Sequence, residues 1–87
     1  MNNNALKVDE KDNIAVATGP IAMGSAVIVN GEAVCNAFED IRAGHKVALV
    51  AISSGGKVVR YGEVIVQTTQ NIKQGQWVHV HNTRPVL

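Results

Sequence analysis

Eighty-seven residues with a formal charge of +1 leave room for one small domain with a thin core, because a chain of this length buries only about 60–65% of its unfolded surface. An apolar share of 46% is too high for a disordered chain, and no apolar run approaches the ~18–20 residues of a membrane-spanning helix. The polar start MNNNALKVDEKDN lacks the apolar centre of a signal peptide, the single Cys35 rules out an intramolecular disulfide, and the near-neutral charge gives no polyanion signal, so the expectation is a cytoplasmic chain with neither nucleic acid nor membrane as partner.

Val and Ile number 21 against three Leu, and Phe, Tyr and Trp occur once each. Branching at Cβ favours the pleated strand over the helix, and eight glycines punctuate short Val/Ile runs, so the fold class is mostly β. Along the chain, residues 1–11 read as a polar lead-in and Ile14–Thr18 as a first strand. The pattern Ile-x-x-Gly-x-x-Val then recurs at Ile21, Ile41, Ile52 and Ile72. In each copy the Ile anchors the core, the Gly takes a turn conformation and the Val starts a strand. Laying 21–51 over 52–82 without gaps gives eight identities, including Gly24/Gly55, Gly31/Gly62 and Gly44/Gly75. Asn30-Gly31 and Tyr61-Gly62 mark a second turn inside each unit, Asn-Gly being a strong hairpin signal. Two units are too few for a solenoid; a pseudo-two-fold pair of short antiparallel hairpins that shield each other's edges fits better.

The charge divides along the chain, −3 over residues 1–43 and +4 over 44–87, with all three histidines in the second part. Either this builds a local positive site or surface charge is scattered unevenly. The densest chemistry is Trp77-Val78-His79-Val80-His81-Asn82. On an extended strand Val78 and Val80 point one way and Trp77, His79 and His81 the other. Two imidazoles at i and i+2 can grip one metal or anion or move protons, and the competing reading is a solvated strand face. His45 follows Gly44 in a turn, Lys46 can neutralise a carboxylate or stay solvated, and Arg60 beside the Tyr61-Gly62 turn suits bidentate carboxylate binding or a hydrophilic edge. Cys35 reads as a small buried hydrophobe, and Gly55-Gly56 lacks the Lys-Ser/Thr ending of a phosphate loop.

Taken together, Asp40-Ile41-Arg42-Ala43-Gly44-His45-Lys46-Val47-Ala48-Leu49, Val59-Arg60-Tyr61-Gly62-Glu63-Val64-Ile65 and Val78-His79-Val80-His81-Asn82 resemble the small N-terminal domain of altronate and galactarate dehydratases, and also the small subunit of sulfolactate sulfo-lyase. Asp12-Asn13-Ile14-Ala15-Val16 looks like the first strand of that domain, so the resemblance covers residues 12–83. It implies a SAF-like β-clip over 12–83, built of units 21–51 and 52–82, with 84–87 as a tail. It further implies a hydro-lyase acting on sugar acids by removing a proton α to a carboxylate, with Fe²⁺ or Mn²⁺ expected in a separate large catalytic domain or subunit. Val66 departs from the glycine expected after Ile65.

These readings make His45, His79 and His81 the candidate catalytic residues and Lys46, Arg60, Tyr61 and Asn82 the candidate substrate-binding residues. No metal site is firm, although His79 and His81 are the pair able to hold one. The leading expectation is an accessory domain or subunit that helps bind an acidic substrate, inactive alone because 87 residues enclose too little volume for a whole site. A non-catalytic SAF-type module binding a protein or carbohydrate is the alternative, and an independent metal-binding protein a third. Trp77 on the histidine face points to an interface and leaves an oligomer open.

Overall fold

Short Val/Ile runs cut by tight turns give short strands, as expected. The computed structural model describes residues 2–86, so Met1 and Leu87, at the outer ends of the lead-in and tail, lie outside the described residues. The strands are β1 (Ala5–Leu6), β2 (Ile14–Ala17), β3 (Ala26–Val29), β4 (Glu32–Asn36), β5 (Lys46–Ala48), β6 (Lys57–Arg60), β7 (Glu63–Thr68), β8 (Trp77–Val78) and β9 (Thr83–Arg84). Among the described residues there is no helix, and so none long and apolar enough to cross a membrane.

An antiparallel sheet ordered β1-β2-β5-β8 runs through the centre. Its register aligns Ala5 with Ala17, Ala15 with Val47 and Val47 with Trp77, so these side chains share one face. They pack with Ile21, Val27, Val29, Ala37, Ile41 and Leu49 in one apolar cluster, and the alanines let the covering hairpin come close. The opposite face carries Ile14, Ala48 and Val78, which join Ile52, Val58 and Ile72 in a second cluster. Each fully buried Val or Ile contributes roughly 1.5–3 kcal/mol relative to leaving it in water, so two small clusters can carry the domain.

The two covering hairpins share their geometry at the 31-residue offset seen in the sequence. Isolated bridges join Ile21 to Ile41 and Ile52 to Ile72. The β3–β4 hairpin bulges between Val27 and Ile28 and turns through Asn30 (φ 51°) and Gly31 (φ 80°); the β6–β7 hairpin bulges between Val58 and Val59 and turns through Tyr61 (φ 56°) and Gly62 (φ 76°). Two successive positive φ values match the twist of a two-residue hairpin loop.

The segment read as a polar lead-in is part of this framework. Asn4 accepts a hydrogen bond from Ile28 N at 2.8 Å and donates to the Ala26 carbonyl at 2.9 Å, bracketing the first bulge. Asn13 does the same for the second, accepting from Val59 N and donating to the Lys57 carbonyl, both at 2.8 Å. A bulge leaves ladder groups without strand partners, and these two side chains satisfy them. In the second half β9 adds a third strand, pairing Thr83 with Thr68 and Arg84 with Gln67, so Arg84 belongs to a sheet rather than to a loose tail.

Candidate functional site

At one end of the central sheet four aromatic rings gather. β8 follows β5 in register, with Val47 opposite Trp77 and Lys46 opposite Val78, and continuing that register places His79 across from His45. The His45 and His79 rings stack with centroids 5.1 Å apart, Trp77 lies 5.4 Å from His45 and 5.0 Å from His79, and His81 lies 4.7 Å from Trp77. Trp77 is therefore the hub, its indole seated against the first apolar cluster. The sequence suggested His79 and His81 as a pair; the fold adds His45 from 34 positions earlier.

The expected strand through Asn82 stops at Val78. Residues 79–82 form a turn in which Asn82 N donates to the His79 carbonyl at 3.1 Å. The Asn82 side chain, fully buried, accepts from His79 N at 2.9 Å and donates to the Trp77 carbonyl at 2.8 Å, while the Thr83 hydroxyl donates to the His79 carbonyl at 2.8 Å. The simple alternation therefore fails: Val78 is 1% exposed and Val80 79%. His81 reaches Trp77 because the turn folds it back. Asn82 acts from inside the turn, through backbone partners, and its amide faces no open surface.

His79 is held below the ordinary imidazole pKa of 6.5, first by desolvation and then by the positive neighbours His45, Lys46 and His81. It is thus neutral near pH 7 and able to accept a proton. Within the stack, Nδ1 of His45 and Nε1 of Trp77 are buried without a hydrogen-bond partner. Glu39, which nothing in the sequence marked, reaches the site through the Trp77 backbone, its Oε2 accepting from Trp77 N at 3.1 Å. Lys46 and His79 border a hollow of about 110 Å³ with Ile65, Val66, Val78, Val80 and Thr83.

Imidazole lone pairs lie in the ring plane, so stacked rings aim them side by side rather than at a common point. In agreement, no group of three or more His, Cys, Asp or Glu able to hold a metal occurs among the described residues. The stacked His45 and His79 rings therefore do not converge on one shared ion.

Arg60 and Tyr61, grouped with the histidines in the sequence reading, lie elsewhere. They line a separate cavity of about 100 Å³ with Leu6, Val8, Asp12 and Ile14 and neighbouring residues, none of them histidine. Arg60 packs 4.6 Å over the Tyr61 ring and donates from Nη2 to its hydroxyl at 2.9 Å. Burial raises the Asp12 carboxyl, but backbone hydrogen bonds, Gly62 foremost and then Asp9, Tyr61 and Val8, outweigh it and leave the pKa below 3.8. Burial likewise pushes the Cys35 thiol up, as suits a packing residue.

The all-β architecture and the histidine-bearing end of its central sheet define a small SAF-like module. The altronate/galactarate dehydratase SAF domain family matches residues 3–85, and the chain belongs to that family. It is 39% identical over 82 residues, 94% of its own length, to altronate dehydratase of Escherichia coli K12, and 34% identical over 74 residues to galactarate dehydratase (L-threo-forming) of the same organism. It is 42% identical over 45 residues to (2R)-sulfolactate sulfo-lyase subunit alpha of Paracoccus pantotrophus, covering 67% of that subunit. The chain spans only 16% and 14% of the two dehydratases. The family match begins at residue 3, where the structure places the ordered framework, rather than at residue 12.

Proposed function

We propose that this chain is the accessory β module of a sugar-acid dehydratase, presenting His45, Lys46, His79 and His81 to complete an active site whose main part lies on a separate domain or subunit. The observation that carries this reading is the cluster of three imidazoles around Trp77, beside Lys46, in a chain whose relatives include altronate and galactarate dehydratases. Dehydration of a hydroxy acid needs a base for the proton α to the carboxylate and a cation for the charge that develops. His79, its pKa lowered by desolvation and then by its neighbours, suits the first role and Lys46 the second. Arg60, Tyr61 and Asn82 stand outside this core set, the first two in another cavity and the third inside the turn. Fe²⁺ or Mn²⁺, where the enzyme uses one, belongs in this reading to the large part.

The test is dehydration of altronate and galactarate by the chain together with its large catalytic part. His79→Ala should lower kcat/KM by roughly 10²–10⁴-fold, the usual worth of a positioned acid–base group. Unchanged kcat/KM for His45→Ala, His79→Ala and His81→Ala would remove the catalytic reading and leave a binding module. Turnover by the chain alone would refute the accessory role.

A further inference from the structure

The β3–β4 turn carries a reactive dipeptide that the function does not use. Among the asparagines of this chain only Asn30 precedes a glycine. Asparagine before glycine is chemically labile because the next backbone nitrogen, unhindered by a side chain, can attack the side-chain carbonyl carbon. Both residues are exposed at the tip of a two-residue loop, with φ of 51° and 80°. The attacking atom, however, is tied down: Gly31 N donates to Asn3 Oδ1 at 2.8 Å. The next residue, Asn4, holds the β3 bulge of the same hairpin, so the N-terminal segment closes both its tip and its waist.

The other hairpin supplies the comparison. Gly62 N donates to Asp12 Oδ1, also at 2.8 Å, so a carboxylate serves the same purpose there. Tyr61 precedes that glycine, and the turn has no amide to lose.

We propose that Asn30 is the site at which this chain ages by deamidation, and that the Asn3 side chain is the latch that sets the rate. Gly31 N attacks Asn30 Cγ; the N–Cγ bond forms, the Cγ–Nδ2 bond breaks, and ammonia leaves with the proton from the amide nitrogen. Water then opens the five-membered imide at one carbonyl or the other, giving aspartate or iso-aspartate at position 30. Either product adds a negative charge to a cleft that Lys7 also lines. The iso form also lengthens the backbone of the loop by one carbon, which the Val29–Glu32 register cannot absorb.

Attack requires the turn to open, so in the folded chain the rate is the intrinsic rate multiplied by the fraction open. Losing one hydrogen bond of ordinary net strength raises that fraction about three- to tenfold. The full chain and its Asn3→Ala and Asn3→Asp variants are incubated at mildly alkaline pH, in buffer and in strong urea, and followed by peptide mass mapping. The expected result in buffer is conversion at Asn30, about three- to tenfold faster in Asn3→Ala than in wild type and close to wild type in Asn3→Asp, which keeps the acceptor. In urea all three convert at one rate. Equal rates for Asn3→Ala and wild type in buffer overturn the latch. Conversion mainly at another asparagine overturns the site. Should Asn3→Ala fail to fold, wild type and Asn3→Asp still decide: both must convert more slowly in buffer than in urea, and failure of either to do so overturns the proposal.

Discussion

Replacing Asn82 by Ala strikes the joint between fold and site. Its side chain is 0% exposed and makes two hydrogen bonds, from His79 N at 2.9 Å and to the Trp77 carbonyl at 2.8 Å. Alanine leaves both backbone groups without that partner, and a buried unsatisfied group costs about 1–3 kcal/mol, so roughly 3 kcal/mol is expected for the pair. For a domain of this size 1 kcal/mol moves the midpoint by about 4–8 °C, so the thermal midpoint should fall by about 12–24 °C. Trp77, the single tryptophan, reports unfolding by fluorescence, with far-UV circular dichroism as a second probe. Two variants grade the effect. Thr83→Val removes only the hydroxyl that donates to the His79 carbonyl and should cost about 1 kcal/mol. Asn82→Asp keeps an acceptor for His79 N but turns a buried carboxylate oxygen toward the Trp77 carbonyl, so at neutral pH it should cost no less than Asn82→Ala. A drop below about 4 °C for Asn82→Ala would refute the turn-organising role and return Asn82 to the list of ligand contacts.

Three further outcomes test other parts of the structure. Gly75 has a φ of 86° and a Cβ there would sit on the Asn36 carbonyl oxygen, whereas Gly44, at φ 82°, faces open space. Gly44→Ala should therefore cost about 1–2 kcal/mol for left-handed backbone alone, and Gly75→Ala clearly more, in denaturant melts; equal costs would contradict the close approach of the turn before β8 to the end of β4. His79 should titrate below 6.5 by NMR and move up in Lys46→Met or His45→Gln, because each removes a positive neighbour; since the unfolded imidazole binds its proton first, stability falls as pH drops below 6.5 until the lower folded value is passed, and a flat profile there would deny the shift. Asp12, held below 3.8, should make stability fall as pH drops through 3.8 toward its folded value, and Asp12→Asn should flatten that limb of the curve; an unchanged limb would mean that other carboxylates account for it.

The parts of the fold legible in the sequence were those written in local chemistry. Ile21, Ile41, Ile52 and Ile72 all proved to be core anchors, and Asn30-Gly31 did form a hairpin loop, because β-branching and positive φ act within a few residues. Asn4 and Asn13 were not legible. A polar residue in a polar segment looks solvated, and the bulge groups they satisfy lie 22 to 46 positions away. β1 is two residues long and carries no periodicity, so the lead-in looked unstructured although Ala5 is buried. The break after Val78 escaped for a similar reason: alternation detects strands, and the turn at 79–82 contains neither Gly nor Pro to interrupt it. Its cause is the Asn82 amide, whose partners become acceptable only once the turn exists.

In space the charge division along the chain does not persist. A balance of −3 followed by +4 left two readings, a local positive site or uneven scatter of surface charge. β2 from the acidic part pairs with β5 from the basic part, and β5 pairs with β8, so the two parts interleave in one sheet. The basic residues then separate. Lys73 lies 4.8 Å over Phe38, Arg60 lies on Tyr61 in its own cavity, and Arg84 pairs through β9 with β7. Among these, Lys46 is the cation that borders the same hollow as His79 and helps hold its imidazole neutral. What distinguishes the histidine end is therefore local: one lysine and three imidazoles around a tryptophan hub, where desolvation and then the charges of His45, Lys46 and His81 lower the His79 pKa, the His45 ring lying 5.1 Å away, inside the ~8–10 Å screening length at physiological salt.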